Sequence, residues 1–112
     1  MLNYALLVFA VAAVGGLFLA TRVLRGRLAP WAVSLLHAAL GATGLILLIA
    51  MLLKGSAPQR VVTGFVLLLI AALGGFLLAS FHLRQKLPPK AIVLVHAGVA
   101  VAGFLTLLSL AL

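Results

Sequence analysis

Four apolar runs, each of about 20 residues or more, fill almost the whole of this 112-residue chain. They are predicted at 2–21, 30–53, 61–80 and 89–112. A helix of about 20 apolar residues is long enough to cross the hydrocarbon core of a bilayer. Only 7% of the residues are charged, whereas a soluble domain has about a quarter. The sequence therefore predicts an all-α integral membrane protein, a single domain 1–112 that folds as a bundle of four transmembrane helices.

The short segments between the runs carry nearly all of the positive charge. The first and third segments have three basic residues each, and the second has two. Since Lys and Arg are enriched in cytoplasmic loops, we predict that 22–29 and 81–88 are cytoplasmic and that both termini lie outside. The predicted location is a prokaryotic cytoplasmic (inner) membrane. The basic residues are Arg22, Arg25 and Arg27, then Lys54 and Arg60, then Arg84, Lys86 and Lys90.

The chain contains no Asp, Glu or Cys, which removes most of the chemistry available to proteins. Catalysis by paired carboxylates is impossible, and carboxylate-rich Ca²⁺ or Mg²⁺ sites are not expected. Thiolate nucleophiles are absent as well. A Zn²⁺ site is not expected, because zinc takes four N, S or O ligands. The remaining candidates are three histidines, the hydroxyls and the basic residues.

The net charge of +8 does not indicate a nucleic-acid-binding protein. The basic residues stand in short loops beside the membrane, with no recognition element and no aromatic stacking platform. Anionic lipid headgroups are the partner that this arrangement favours.

The two halves of the chain repeat at a constant offset of 59 residues. Without a gap, 12–53 aligns with 71–112, and 17 of the 42 pairs are identical. Shared Ala and Leu are expected in apolar segments, but a shared His, Arg, Pro and Gly-Gly are not. We interpret this as a duplicated helical hairpin, with repeats at about 1–53 and 61–112. Parallel repeats are related by a pseudo-two-fold axis along the membrane normal, which predicts that the second and fourth helices face each other.

The pseudo-two-fold axis places His37 and His96 at the same depth in the membrane, opposite one another. Each lies seven residues after a proline, roughly 10 Å inside the cytoplasmic end of its helix. Glycines of the first and third helices are predicted at the same level, and further glycines follow the histidines on their own helix faces. These glycines are Gly15, Gly16, Gly74 and Gly75, then Gly41, Gly44 and Gly103.

Two opposed imidazoles with small neighbours suit a haem b that is ligated axially by both histidines. His37 and His96 would bind the iron, and the glycines would leave room for the flat macrocycle. Arg25 and Arg84, which are related by the repeat, would neutralise the propionates, because arginine favours paired contacts with carboxylates.

Two plainer interpretations stay open. A membrane histidine can be satisfied by a single carbonyl or act in a proton relay, and the glycines also form small-xxx-small stripes that pack helices closely. His82 lies at the interface, where solvation, a lipid phosphate or a haem edge would satisfy it. Trp31 is typical of an interfacial anchor.

The chain resembles the small membrane b-type cytochromes, with an architecture similar to cytochrome b561-like and quinone-linked haem subunits. The residues that carry this resemblance are His37 and His96 with their Gly and Ala neighbours. It implies an electron carrier or redox subunit that exchanges electrons with quinol or a partner protein. Members of the b561 family have two haems and four ligands, so the one pair here implies a single haem.

Three alternatives remain for the function and assembly. One is a haem-free transporter or channel in which the two histidines titrate, and another is a structural membrane subunit. A homo-oligomer is also possible. Small multidrug-resistance transporters have a similar size, but they depend on an acidic residue that this chain lacks.

Overall fold

A computed structural model describes residues 1–55 and 57–112 and contains four α-helices. Ser56, in the predicted loop between the second and third runs, lies outside the described residues. The helices are α1 (Leu2–Leu24), α2 (Trp31–Leu53), α3 (Gln59–Leu83) and α4 (Lys90–Leu108). This confirms the predicted all-α, four-helix architecture.

Two helices extend further towards the loops than the apolar runs predict. α1 continues to Leu24 rather than residue 21, and α3 to Leu83 rather than residue 80. Arg22 and His82 are therefore helical. An apolar run ends at the first polar residue, whereas a helix can continue past it. Amphipathic side chains at a helix end can extend to the membrane surface and keep their polar groups in water.

The turns after α1 and α3 have the same geometry at the 59-residue offset. Each helix ends on an arginine, Arg25 with φ −86° and Arg84 with φ −87°. The next residue has positive φ in both turns, at +82° for Gly26 and +54° for Gln85. The left-handed conformation suits glycine and strains a residue with a Cβ atom.

The Gln85→Gly variant is expected to stabilise the protein by about 1 kcal/mol, because it relieves this backbone strain. The reciprocal change, Gly26→Ala, is expected to destabilise it by a similar amount. Thermal unfolding in detergent, followed by circular dichroism, measures both. If the unfolding temperatures of the two variants shifted in the same direction, or did not shift, Gln85 would not be strained.

The four helices form two hairpins that pack side by side. α1 packs closely on α2, and α3 packs closely on α4. Fewer contacts, between α2 and α3 and between α1 and α4, join the hairpins. α2 and α4 are therefore diagonally opposite across the bundle, as predicted for the two histidine helices.

The packed apolar core lies at one end of the bundle. We call this end, which holds the chain termini and residue 55, the terminal half, and the end at residues 25–30 and 84–89 the loop half. Leu48, Leu107 and Val61 are fully buried in the terminal half. The other buried members of the same cluster are Ala5, Leu6, Phe9 and Leu68.

Large apolar side chains cover the outside of the bundle. Leu7, Val14, Leu73 and Phe76 are more than half exposed, and the bundle is 44 Å long. All four helices are long and apolar enough to cross a membrane. A solvent-exposed surface of this kind would aggregate in water, so the structure is consistent with a multi-pass membrane protein.

Candidate functional site

His37 of α2 and His96 of α4 meet in the interior of the bundle, in the loop half. Their ring centres are 6.3 Å apart, and the ring planes are inclined at 80°. Both side chains are half-buried. Each histidine comes from a different hairpin, so the pair bridges the junction between the two hairpins.

Each imidazole forms one hydrogen bond to the other helix of its own hairpin. Nδ1 of His37 is 2.8 Å from the carbonyl oxygen of Ala12, and Nδ1 of His96 is 2.7 Å from that of Ala71. A carbonyl oxygen only accepts, so Nδ1 carries the proton in both rings. In the neutral imidazole, Nε2 then keeps its lone pair and is the atom that can bind a metal.

Glycine makes these hydrogen bonds possible. Gly16 stands one helical turn after Ala12, where a side chain would cover the Ala12 carbonyl. A Cβ atom on Gly16 would lie 2.9 Å from Cε1 of His37, and one on Gly75 would lie 3.3 Å from Cε1 of His96. Gly16 and Gly75 thus give the imidazole rings access to the backbone of the neighbouring helix.

Gly15 and Gly74 also face the histidines, at a greater distance. A Cβ atom on Gly15 would lie 3.9 Å from Cβ of His37, and one on Gly74 would lie 3.5 Å from Nδ1 of His96. These are ordinary van der Waals separations. The structure therefore brings all four glycines of α1 and α3 to the histidine pair, as the sequence predicts.

The other predicted glycines have different surroundings. Gly44 packs against the ring of Phe9, and Gly103 packs against Leu68, both in the terminal half. A Cβ atom on Gly44 would lie 2.5 Å from Cζ of Phe9, so the absence of a side chain is needed for helix packing there. Gly41 has open space within 4 Å of the position of a Cβ atom.

The ring centres of His37 and His96 are close enough for both imidazoles to reach one metal. An imidazole nitrogen binds a metal at about 2 Å and lies about 1 Å from its ring centre, so two rings on one metal have centres about 6 Å apart. The observed separation is 6.3 Å. The described residues contain no group of three or more His, Cys, Asp or Glu that could hold a metal, so this site offers two imidazoles as donors.

The two predicted propionate partners lie at the surface. Arg25 is exposed, and so is Arg84. The Arg84 guanidinium lies 4.8 Å from the centre of the Phe81 ring, and its Nε donates to the Ser80 carbonyl at 3.2 Å.

Arg22, in the last turn of α1, is the basic residue that differs from the others. Its side chain is half-buried, and its Nε is buried without a hydrogen-bond partner among the described residues. A buried donor without a hydrogen-bond partner is uncommon in folded proteins. The sequence could not single out Arg22, because burial of one atom depends on how α1 packs.

A second histidine cluster joins the hairpins and was not predicted. The rings of Trp31 and His82 are stacked, with centres 3.8 Å apart and planes inclined at 3°. Ser34 Oγ is 3.2 Å from Nδ1 of His82, within hydrogen-bond distance. The sequence placed Trp31 and His82 at the same membrane surface, but the contact depends on the neighbouring positions of α2 and α3.

Comparison of the chain with protein-family models, with curated protein sequences and with solved structures finds no match. A four-helix bundle supports many unrelated functions.

Proposed function

We propose that this protein is a membrane haem-b protein that transfers electrons, with Nε2 of His37 and of His96 as the axial ligands. The observation that carries this proposal is the pair of Nδ1–H···O=C hydrogen bonds, combined with the 6.3 Å separation of the rings. Metal-ligating histidines almost always donate their second ring N–H to a carbonyl, a carboxylate or water. Both imidazoles have this second hydrogen bond already in place.

The residues present fit the donor chemistry of such a haem. The two Nε2 lone pairs provide the axial ligands, and haem iron with two strong axial ligands supplies one-electron chemistry. The backbone carbonyls of Ala12 and Ala71 fix the tautomers and orientations of the rings and make the imidazoles more electron-donating. The chain's contribution is thus to orient the ligands and to surround them with apolar groups.

The flat ligand would enter at the junction between the hairpins in the loop half. The terminal half is closed by Leu48 and Leu107, which are fully buried, and the imidazoles themselves occupy the space beside Gly16 and Gly75. The hairpins make fewer contacts with each other than the helices make within each hairpin.

Basic residues at the loop half are the candidates for pairing with the propionates. Arg22 joins Arg25 and Arg84 as a candidate, because its Nε is buried and lacks an acceptor among the described residues. Charge-assisted hydrogen bonds to a carboxylate are about twice as strong as neutral ones. A carboxylate at Arg22 would satisfy this donor.

The same proposal includes an orientation and a class of partner. The charge bias places residues 22–29 and 81–88 on the cytoplasmic side of a prokaryotic inner membrane, with the basic side chains near anionic headgroups. The histidine pair lies nearer this side. A quinol or a redox protein would therefore exchange electrons from the cytoplasmic half, and the chain acts as a carrier or subunit rather than a stand-alone enzyme.

Titration of haem into the detergent-solubilised, haem-free protein tests this proposal. We expect saturation at one haem per chain and the absorption and electron paramagnetic resonance spectra of low-spin iron with two histidine ligands. Thr43→Ala is a matched control, because the Thr43 hydroxyl only bonds to the Ala39 carbonyl of its own helix. Featureless, non-saturating haem uptake would contradict the proposal.

A haem-free function with titrating histidines is the second candidate. The Nδ1 hydrogen bonds satisfy each imidazole without any ligand, and the free Nε2 atoms can accept protons. A continuous water-filled pore is disfavoured, because the terminal half is packed with apolar side chains. Proton flux across liposomes that is lost in His37→Ala, in a protein that binds no haem, would support this second function.

A further inference from the structure

The stacked cluster of Trp31, Ser34 and His82 joins the two hairpins at the loop half. Trp31 and Ser34 begin α2 in the first hairpin, and His82 ends α3 in the second. The near-parallel planes and the 3.8 Å separation mean that the rings overlap face to face. The Ser34 hydroxyl fixes the imidazole edge at 3.2 Å, so both the face and the edge of His82 are held by α2.

This cluster is special among the polar contacts of the described residues. The side-chain hydrogen bonds of His37, His96 and Arg60 link helices of the same hairpin. Only the bond between Ser34 and His82 crosses between hairpins. Among the described residues, the hairpins are thus joined by apolar packing, by the edge contact between His37 and His96, and by this cluster.

The opposite edge of the bundle does not have this contact. At the 59-residue offset, Trp31 corresponds to Lys90, Ser34 to Val93 and His82 to Val23. Lys90 is exposed and Val93 is buried; Lys90 and Val23 have no aromatic rings to stack, and Val93 has no hydroxyl to hydrogen-bond. The two contacts between hairpins, α2 with α3 and α1 with α4, therefore differ in their side chains although the bundle is nearly symmetric.

We propose that Trp31, Ser34 and His82 form a clamp that sets the spacing of the two hairpins and so positions the histidine pair. His37 and His96 belong to different hairpins, so their separation follows the spacing of α2 and α4. Ser34 lies one helical turn before His37 on α2, which ties the clamp directly to the rotation and depth of His37. The three clamp residues act as positioning residues and not as ligands.

The clamp itself does not depend on haem, whereas its effect on iron ligation rests on the proposed function. When the clamp is broken, the bundle stays helical, because the hairpins keep their internal packing. The distribution of distances between the hairpins then becomes broader, and the two imidazole rings no longer keep one fixed separation. A bound haem would lose one axial ligand in part of the population.

Distance measurements between spin labels test the clamp without any cofactor. The chain has no cysteine, so Arg27→Cys and Lys86→Cys place one label on the exposed loop of each hairpin. In Trp31→Leu and in His82→Leu we expect a broader distance distribution whose mean moves by at least about 2 Å, the size of helix shifts at interfaces. Val23→Ala and Lys90→Gln, at the opposite edge, are matched controls that should leave the distribution unchanged.

Trp31 provides a second readout, because it is the only tryptophan of the chain. Because the imidazole of His82 is stacked on the indole, His82→Leu should change the fluorescence emission of Trp31, and Ser34→Ala should change it by a smaller amount. His82→Phe keeps an aromatic ring and should restore most of the narrow label distance. This rescue would not occur if any substitution at position 82 simply disturbed the fold.

The outcomes separate this proposal from the haem proposal. Altered label distances in Trp31→Leu and His82→Leu, with rescue by His82→Phe, support the clamp whether or not haem binds. If haem binds, the same two variants should also show a mixture of low-spin and high-spin iron. Unchanged label distances in both variants would overturn the clamp, even in a protein that binds haem with two histidines.

Discussion

His37→Ala and His96→Ala are each expected to abolish the low-spin haem spectrum and to weaken haem binding by at least about 100-fold. Each substitution removes one of the two proposed Nε2 ligands and leaves an apolar gap in its place. The helices should still form, because the carbonyl oxygens that lose the Nδ1 hydrogen bond, those of Ala12 and Ala71, still accept the backbone hydrogen bonds of α1 and α3. Haem titration of each variant, with circular dichroism for helix content, measures both effects.

Added imidazole gives a sharp control for these variants. The gap left by His37→Ala should accept free imidazole as a replacement ligand and so recover the low-spin spectrum. Thr43→Ala, also on α2, should bind haem like the parent protein. If the parent and both alanine variants bound haem equally well, the haem would bind elsewhere and His37 and His96 would not be its ligands.

Gly16→Leu is expected to displace the His37 ring, with a destabilisation of about 1–3 kcal/mol, typical of overpacking. Even the first added atom would lie 2.9 Å from Cε1 of His37, so the ring must leave the Ala12 carbonyl. We expect haem affinity to fall by about 100-fold, because loss of the hydrogen bond that orients a ligating histidine costs about 10–100-fold and the imidazole itself also moves. Gly75→Leu should act in the same way on His96.

Gly98→Leu is the matched control for the leucine variants. Gly98 lies on α4 two residues after His96, but the position of its Cβ atom has nothing within 4 Å. The unfolding temperature and the haem affinity of Gly98→Leu should stay close to those of the parent protein. If Gly98→Leu destabilised the protein as much as Gly16→Leu does, loss of helix packing in general, and not the histidine contact, would explain the effect.

The helical architecture could be predicted because membrane helices leave a simple signature. Each apolar run is long enough to span the bilayer, and the breaks between runs carry the charge. The level of His37 and His96 also followed from counting residues from Pro30 and Pro89, since the rise per residue of a helix is fixed. The structure brings these histidines together in the interior.

The contacts of individual glycines could not be predicted, because they depend on the rotation of each helix. The sequence grouped Gly44 with the histidine face, yet Gly44 packs against Phe9 in the terminal half. Gly16 was predicted to leave room for a macrocycle, and in the structure it makes room for the imidazole of His37 and its bond to Ala12. Spacing gives the depth of a residue in the bundle but not the side chain that it meets.

The clamp was hidden for a similar reason. Trp31 and His82 are far apart in the sequence, and their equivalents, Lys90 and Val23, share none of their chemistry. No repeat or motif therefore marked them. Only the adjacency of α2 and α3 brings the two rings into contact.

The most direct test of the central claim is the absorption spectrum of the protein purified in detergent from haem-replete cells, before and after reduction by dithionite. We predict a sharp Soret band and, on reduction, distinct α and β bands, at one haem per chain and at full intensity only when both His37 and His96 are present. A protein that is colourless from such cells, and that stays colourless when haem is added, would contradict it.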